Sequence, residues 1–282
     1  MYDPIRTEIM KHRLVSVAEE MGARLQRAAF SSNIKERCDF SCAVFDAFGS
    51  LVAQAAHIPV HLGAMPLSVQ ACLESLNFEP GDVAMVNDPY RGGTHLPDVT
   101  VVSPIFVEEK AQPVLIGFVA NRAHHADIGG MSAGSMPLSQ EIFQEGLIIP
   151  PVKLMACGEN NEDVWRLLMA NVRTPEERSG DLQAQLAANH VGRERMQAMA
   201  AQYGFQSLVA DMDALLQYSE RMTRQLIGQL PNGSYRFDDA LDNDGFSTEP
   251  AFIRVAIAIE EEQVTVDFSG TDRQRPGSIN AV

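Results

Sequence analysis

The stretch Val99–Ala120, VTVVSPIFVEEKAQPVLIGFVA, decides the fold. Its two apolar runs, Val99–Val107 and Val114–Ala120, read as strands separated by the polar loop Glu108–Gln112. Working back from there, Val83–Val86 reads as a short buried strand after a turn at Pro80-Gly81. Residues 39–54, DFSCAVFDAFGSLVAQ, read as a hairpin, its apolar run around Val44 and Phe45 turning through Asp46–Gly49 into Leu51 and Val52. A helix is expected from about Pro66 to Leu76. Another covers residues 4–30, where Ile9, Leu14, Val17, Met21, Leu25 and Ala29 recur at helical spacing and Asp3 before Pro4 marks the start.

Working forward, residues 121–151 are dense in glycine and hold no period, so they predict irregular backbone fixed by side-chain contacts, where sites often lie. Beyond 160 the pattern is helical. Thr174-Pro175-Glu176-Glu177 is a capping box with proline at the first helical position. A helix to about Tyr203, ended by Gly204, and another over Ser207–Gly228 follow. Pro231-Asn232-Gly233 then turns into strands near 234–240, 252–259 and 263–268. The prediction is a mixed α/β (α+β) chain: a strand-rich front with glycine-rich site loops, a helical middle and further strands at the C-terminal end. As domains, 1–165 is a metal-site α/β domain, 166–230 a helical segment, and 231–282 the start of an incomplete second β-rich domain. The ending SGTDRQRPGSINAV reads as truncated, cut inside a larger fold.

The 282 residues are 45% hydrophobic and 21% charged, an ordinary globular balance with enough apolar mass for a sizeable core. The net charge of −15 repels nucleic acid, which is excluded as a partner. The four cysteines, Cys38, Cys42, Cys72 and Cys157, contain no CxxC pair and read as reduced thiols. No signal-peptide core and no run of ~20 apolar residues is present, so no membrane span and a cytoplasmic location are expected.

Five of the seven histidines lie between 57 and 125. Two clusters there carry chemistry. The first, NDPYRGGTHLPD over 87–98, follows a short apolar strand. Gly92 and Gly93 permit a tight turn and Pro97 stiffens the approach to Asp98. His95 and Asp98 offer a nitrogen and an oxygen ligand, and Asp88 adds another carboxylate. This donor set suits Mn, Zn or Fe. The second, NRAHHADIGG over 121–130, sits at a strand exit. If that strand continues, His125 and Asp127 face one side and His124 the other, so one imidazole reaches a metal and its neighbour orients substrate or a second partner. Parity leaves open which does which.

Each residue also has an ordinary reading. A loop histidine is commonly a surface group, Asp88 before Pro89 a turn former, and Arg122 the partner of a carboxylate. Two glycine-flanked clusters so close in sequence favour one shared metal site. His57 and His61, flanking Pro59, either line the same pocket or pack a turn before a helix. The charges of Asn33–Asp39 read as a solvated loop, with a substrate or interface role as the sharper alternative, and Glu141 and Glu145 as a solvated helix face, with general bases as the alternative. Asp242-Asn243-Asp244-Gly245 reads as a turn, since the rest of an EF-hand is missing. No Walker loop, suitable GxGxxG or GxSxG occurs, so the chain shows no nucleotide site of its own.

Seven segments together resemble the hydantoinase B/oxoprolinase family: NIKERCDFSCAVFD, HIPVHLGAMP, NDPYRGGTHLPDV, FVANRAHHADIGG, GSMP, EIFQEGLIIPPVKL and GDLQAQLAAN. They fall in the family's order over nearly the whole chain. The family includes N-methylhydantoinase and 5-oxoprolinase subunits, and is related to the large subunits of acetone and acetophenone carboxylases. The resemblance implies a mixed α/β fold, a metal held by histidines and aspartates, and a hydantoinase A-type partner subunit that binds ATP. It points to His95, Asp98 and the His124–His125–Asp127 group as site residues. Departures in the motifs are small, such as Cys38 within KERCDF; the family usually continues well past residue 282. The expected assignment is His95, Asp98, His125 and Asp88 on the metal, Asp127 and His124 as catalytic proton-handling groups, and Asn121 and Arg122 on substrate. The expected function is ATP-dependent opening of a cyclic amide ring, a hydantoin, N-methylhydantoin or 5-oxoproline, by metal-activated water. The alternatives are ATP-dependent carboxylation of a small ketone, or a non-catalytic scaffold half of such a complex.

Overall fold

A computed structural model describes residues 3–56, 58 and 60–281. Its architecture is mixed α+β, as expected. Helix α1 (Pro4–Ala28) begins where the sequence marks it, with the Asp3 carboxylate accepting from the Ile5 and Arg6 amides at 3.0 and 3.2 Å. Its buried stripe is Met10, Leu14, Val17, Ala18, Met21 and Leu25; Ile9 is one position off it and lies in solvent.

A short helix α2 (Ser32–Lys35) leads into the hairpin β1 (Phe40–Asp46) and β2 (Leu51–Ala56). Helix α3 spans His61–Ser75, so Pro66 stands inside the helix and not at its start, and His61 is its first residue. Next come β3 (Val83–Val86), a 3-10 turn (Pro89–Arg91), β4 (Asp98–Glu109) and β5 (Gln112–His124). Strand β5 therefore runs beyond Ala120, and the irregular stretch starts only at His125. After it come β6 (Val152–Ala156) and β7 (Glu159–Asn160), which the sequence pattern did not mark. Three helices follow, α4 (Glu162–Ala170), α5 (Pro175–Tyr203) and α6 (Phe205–Ile227). Helix α5 starts at its proline, yet Thr174 makes no side-chain capping hydrogen bond and Glu177 accepts from Arg178 instead, so the expected capping box is not formed.

One compact unit comprises 1–137 and 145–214. It holds a seven-stranded sheet of order β2-β1-β5-β4-β3-β6-β7, with every neighbouring pair antiparallel. Successive side chains alternate between faces. One face meets α3: Ala43, Phe45, Ala84, Val86, Val102, Phe118 and Ala120 pack with Met65, Val69 and Cys72. Burying each large apolar side chain there contributes about 1.5–3 kcal/mol. The other face meets α5, which also packs against α1. That contact is close: a Cβ on Gly192 would stand 2.4 Å from Met21 Sδ and 3.0 Å from Val119 Cγ1.

The second unit comprises 138–144 and 215–281 and contains a three-stranded antiparallel sheet of order β10-β9-β8. Its strands β8 (Gly233–Leu241), β9 (Ala251–Glu260) and β10 (Gln263–Asp267) match the three expected strands closely. Asp244 is a turn former there, accepting from the Phe246 and Ser247 amides at 2.9 and 2.6 Å. No helix among the described residues is long and apolar enough to cross a membrane.

Candidate metal centre

Strand pairing brings the two sequence clusters together. Asp98, first residue of β4, and His124, last of β5, are direct cross-strand partners. His95 comes from the loop just before β4. Its Nε2 lies 2.9 Å from Asp98 Oδ1, His124 Nδ1 lies 3.2 Å from the same oxygen, and the two imidazole nitrogens are 3.2 Å apart. Asp98 is buried, His124 nearly so, and His95 is the open edge, its side chain 38% exposed.

The loop carrying His95 is fixed from several directions. Asn87 donates to the Leu96 carbonyl at 2.7 Å and accepts from the Ile149 amide at 2.7 Å. Gly92 is left-handed (φ 80°), and a Cβ there would stand 2.2 Å from the Leu67 carbonyl carbon, so only glycine lets the turn lie against α3. Pro97 O accepts from the His125 amide at 2.8 Å, and Asp39 O from the His124 amide at 3.0 Å. The second bond ties Asp39 to the end of β5.

Further groups surround the three. His61, at the start of α3, is 1% exposed; its Nε2 is 3.4 Å from Asp98 Oδ2 and 3.8 Å from Asp39 Oδ1. Burial alone would raise the Asp98 carboxyl, but the neighbouring imidazoles of His124, His61 and His95 outweigh it and hold Asp98 well below the usual carboxylate range. For His95 burial works downward, and the bond to Asp98, with the charges of Asp39 and Glu145 behind it, raises the imidazole above its ordinary value.

The arrangement fits a divalent cation. Metal–ligand bonds of roughly 2.0–2.2 Å put neighbouring donors roughly 2.8–3.6 Å apart in tetrahedral or octahedral shells. The edges of the His95–Asp98–His124 triangle, 2.9, 3.2 and 3.2 Å, fall in that range.

Other expected site residues lie elsewhere. His125 points to the opposite face of the sheet, its Nε2 2.9 Å from Gln185 Oε1 of α5, because neighbours on an extended chain alternate. Burial there, with the nearby Arg178 charge, lowers it to about 4. Asp88 caps the 3-10 turn, accepting from the Tyr90 amide at 2.9 Å, the turn-forming alternative. Asp127 accepts from Arg173 Nη1 at 2.8 Å and from the Arg173 amide. It lies beyond the end of β5, where strand parity no longer applies. Asn121 is fully buried and donates to Gln185 O and Asn189 Oδ1 at 2.9 and 2.7 Å.

Arg122 is also fully buried. It donates to Thr100 Oγ1 at 2.8 Å, to Ser68 Oγ at 2.8 Å and to Gly92 O at 3.1 Å. Burial lowers its guanidinium to about 10 despite the pull of Asp98. Arg122 therefore braces the His95 loop from beneath. His57 lies outside the described residues.

Sequence reasoning underweighted Asp39 and His61 and gave no role to the polar stripe of α5. In that stripe Asp181 Oδ1 accepts from the Phe30 and Ser31 amides at 2.8 and 3.0 Å, and its Oδ2 from Arg178 at 3.0 Å. Gln185 donates to Val99 O at 2.9 Å, and Asn189 to Val101 O and Ser103 Oγ at 3.1 Å each. The four-residue spacing of Asp181, Gln185 and Asn189 among small and apolar residues was the available signal.

The profile of hydantoinase B/oxoprolinase matches residues 3–282. The chain belongs to the hydantoinase B/oxoprolinase family. It is 37% identical to 5-oxoprolinase of Saccharomyces cerevisiae, over 99% of this chain and 22% of that protein. It is 35% identical to a Pseudomonas protein named as a D-/L-hydantoinase subunit, over 96% of this chain and 47% of that one. Among solved structures, the ATP-dependent caprolactamase of Pseudomonas jessenii matches with TM-score 0.91 and 30% identity, covering 99% of this chain and 48% of that one. A nucleotide-free acetone carboxylase shares the fold, with TM-score 0.88 at 20% identity, over 99% and 39% of the two chains. The chain thus spans about half the length, or less, of these proteins.

Proposed function

We propose that this chain supplies the metal-bearing part of an ATP-dependent hydrolase that opens a cyclic amide ring, of the hydantoin or 5-oxoproline kind. The carrying observation is the triangle of His95 Nε2, Asp98 Oδ1 and His124 Nδ1. Those three residues would hold a divalent ion, Mn, Zn or Fe. Bound there, the ion supplies Lewis acidity toward a carbonyl and lowers the pKa of a water. The half-open edge at His95 is the side from which substrate approaches. Buried Asp98 keeps its charge through its histidine partners, so its donor oxygen is available at neutral pH. The charges of Asp39 and Glu145 act on His95 and make this side of the centre electronegative.

ATP is assigned to a hydantoinase A-type partner subunit, where phosphorylation of the ring carbonyl oxygen would make the carbon electrophilic. The names of the relatives at 30% identity or more favour amide hydrolysis over ketone carboxylation. The test is metal analysis of the purified chain, together with turnover of hydantoin and 5-oxoproline with ATP and the ATP-binding subunit. A stoichiometric divalent ion is expected, lost together with turnover in His95→Ala. Ring opening at full rate by an ion-free chain overturns the reading, and bicarbonate incorporation into a ketone without ring hydrolysis replaces it with the carboxylase.

A further inference from the structure

We infer that His61, with Ser41 behind it, is a positioning residue for Asp98; this rests on the metal-centre reading above. The two oxygens of Asp98 have separate tasks. Oδ1 faces His95 and His124 at 2.9 and 3.2 Å. Oδ2 faces away from that triangle: it accepts from Thr94 Oγ1 at 2.8 Å and looks at His61 Nε2 at 3.4 Å. A carboxylate held only through Oδ1 would be free to rotate about its last torsion, and a donor on Oδ2 removes that freedom.

His61 is built for this. Its ring is 1% exposed, so its nitrogens are cut off from bulk water. Nδ1 lies 3.0 Å from Ser41 Oγ of β1. A serine hydroxyl donating to Nδ1 leaves the ring proton on Nε2, 3.4 Å from Asp98 Oδ2. Among the described residues Nε2 has no fully formed hydrogen bond, so its nearest acceptor is that carboxylate oxygen. A buried imidazole N–H without a partner is costly, so an interaction with Asp98 Oδ2 that tightens when the centre is filled recovers that cost. Ser41 also holds the ring from β1, which pairs with both β2 and β5. The chain Ser41–His61–Asp98 thus joins β1, α3 and β4 behind the triangle.

The experiment uses the full chain stripped with chelator and titrated with Mn²⁺ or Co²⁺ alone, followed by calorimetry and the Co²⁺ absorption spectrum, with thermal melting of each metal-free variant as the folding control. His61→Ala is expected to bind about 10–100-fold more weakly with an altered Co²⁺ spectrum. His61→Gln, whose amide can still donate, should recover part of the loss. Ser41→Ala should lose less, and Ser41→Ala combined with His61→Ala no more than His61→Ala alone. If His95→Ala abolishes binding while His61→Ala, His61→Gln and Ser41→Ala all bind as the unaltered chain does, the positioning role falls and the centre stands. If His61→Ala is as metal-free as His95→Ala while still folded, His61 is a ligand and the positioning role also falls. If the unaltered chain binds neither ion, the metal-centre reading itself falls and takes this one with it. Should His61→Ala not fold, Ser41→Ala and His61→Gln carry the same comparison.

Discussion

Asp98 and His124 face each other directly across the β4–β5 pair, with Asp98 Oδ1 3.2 Å from His124 Nδ1. Two corners of the triangle are therefore set by the hydrogen-bond ladder of a central strand pair, and only His95 depends on a loop. Groups carried on paired strands keep their separation better than groups on loops. This explains why so much of the surrounding polar structure, from Asn87 to Arg122, serves the one loop that needs holding.

Removing Asp98 should cost both ion binding and stability. In Asp98→Ala the Thr94 hydroxyl and the buried His61 ring lose their acceptor, a penalty of about 1–3 kcal/mol. Urea unfolding of the metal-free variant measures it. An unaltered midpoint would show that Asp98 holds neither group.

Asp181→Ala should be more damaging, although it is no member of the His95–Asp98–His124 triangle. The carboxylate accepts two backbone amides at the end of α1 and pairs with Arg178, both side chains being nearly inaccessible. Deleting one partner of such a pair typically costs about 3–5 kcal/mol, because the other charge remains buried. A loss below about 1 kcal/mol in equilibrium unfolding, the range of an exposed pair, would contradict this packing.

Gly192→Ala sets two effects against each other. Alanine gains about 1 kcal/mol in helix propensity. Its Cβ, however, would meet Met21 Sδ at 2.4 Å and Val119 Cγ1 at 3.0 Å, and overpacking of this kind costs about 1–3 kcal/mol. Net destabilisation is expected, with Met21→Ala in the same chain relieving part of it; additive losses in the double variant would argue against direct contact.

Acid should loosen the α5 face through His125. Burial first, and Arg178 second, lower this imidazole to about 4 from 6.5. Between those values the unfolded chain binds more protons than the folded one, so stability is fully present above pH 6.5 and declines as pH falls toward 4. The loss is on the order of 3 kcal/mol. His125→Gln removes the titration, so melting temperatures of the variant should vary less over this range; equal slopes would assign the acid sensitivity to other groups.

The strands were legible because their apolar runs are long and bounded by polar loops; β4 and the three C-terminal strands fall close to their expected limits, while β5 runs four residues past Ala120 into the polar NRAH stretch. Pro66 misled, since proline favours the first helical turn, whereas here it stands inside α3. The start of α3 at His61, and with it that ring's place beside Asp98, was therefore hidden. The separation of His124 from His125 could be read from alternation, but not which face meets which helix, because that depends on how α3 and α5 pack. Asp39 looked like one charge among several in a polar loop; the bond from the His124 amide to its carbonyl and the approach of His61 Nε2 to its carboxylate at 3.8 Å reveal its location.

The opposed directions of His124 and His125 make the centre a matter of counting. The β4–β5 ladder already tolerates an offset at Ile105/Phe106, toward the hairpin end, so an extra residue inserted there has a place to go. The same insertion between Phe118 and His124 would turn the last residues of β5 over, presenting a different side chain to Asp98 and swinging the rest toward α5. Tolerance to insertion should therefore fall steeply along a single strand, generous at the distal hairpin and absent within the final turn-free stretch before the site.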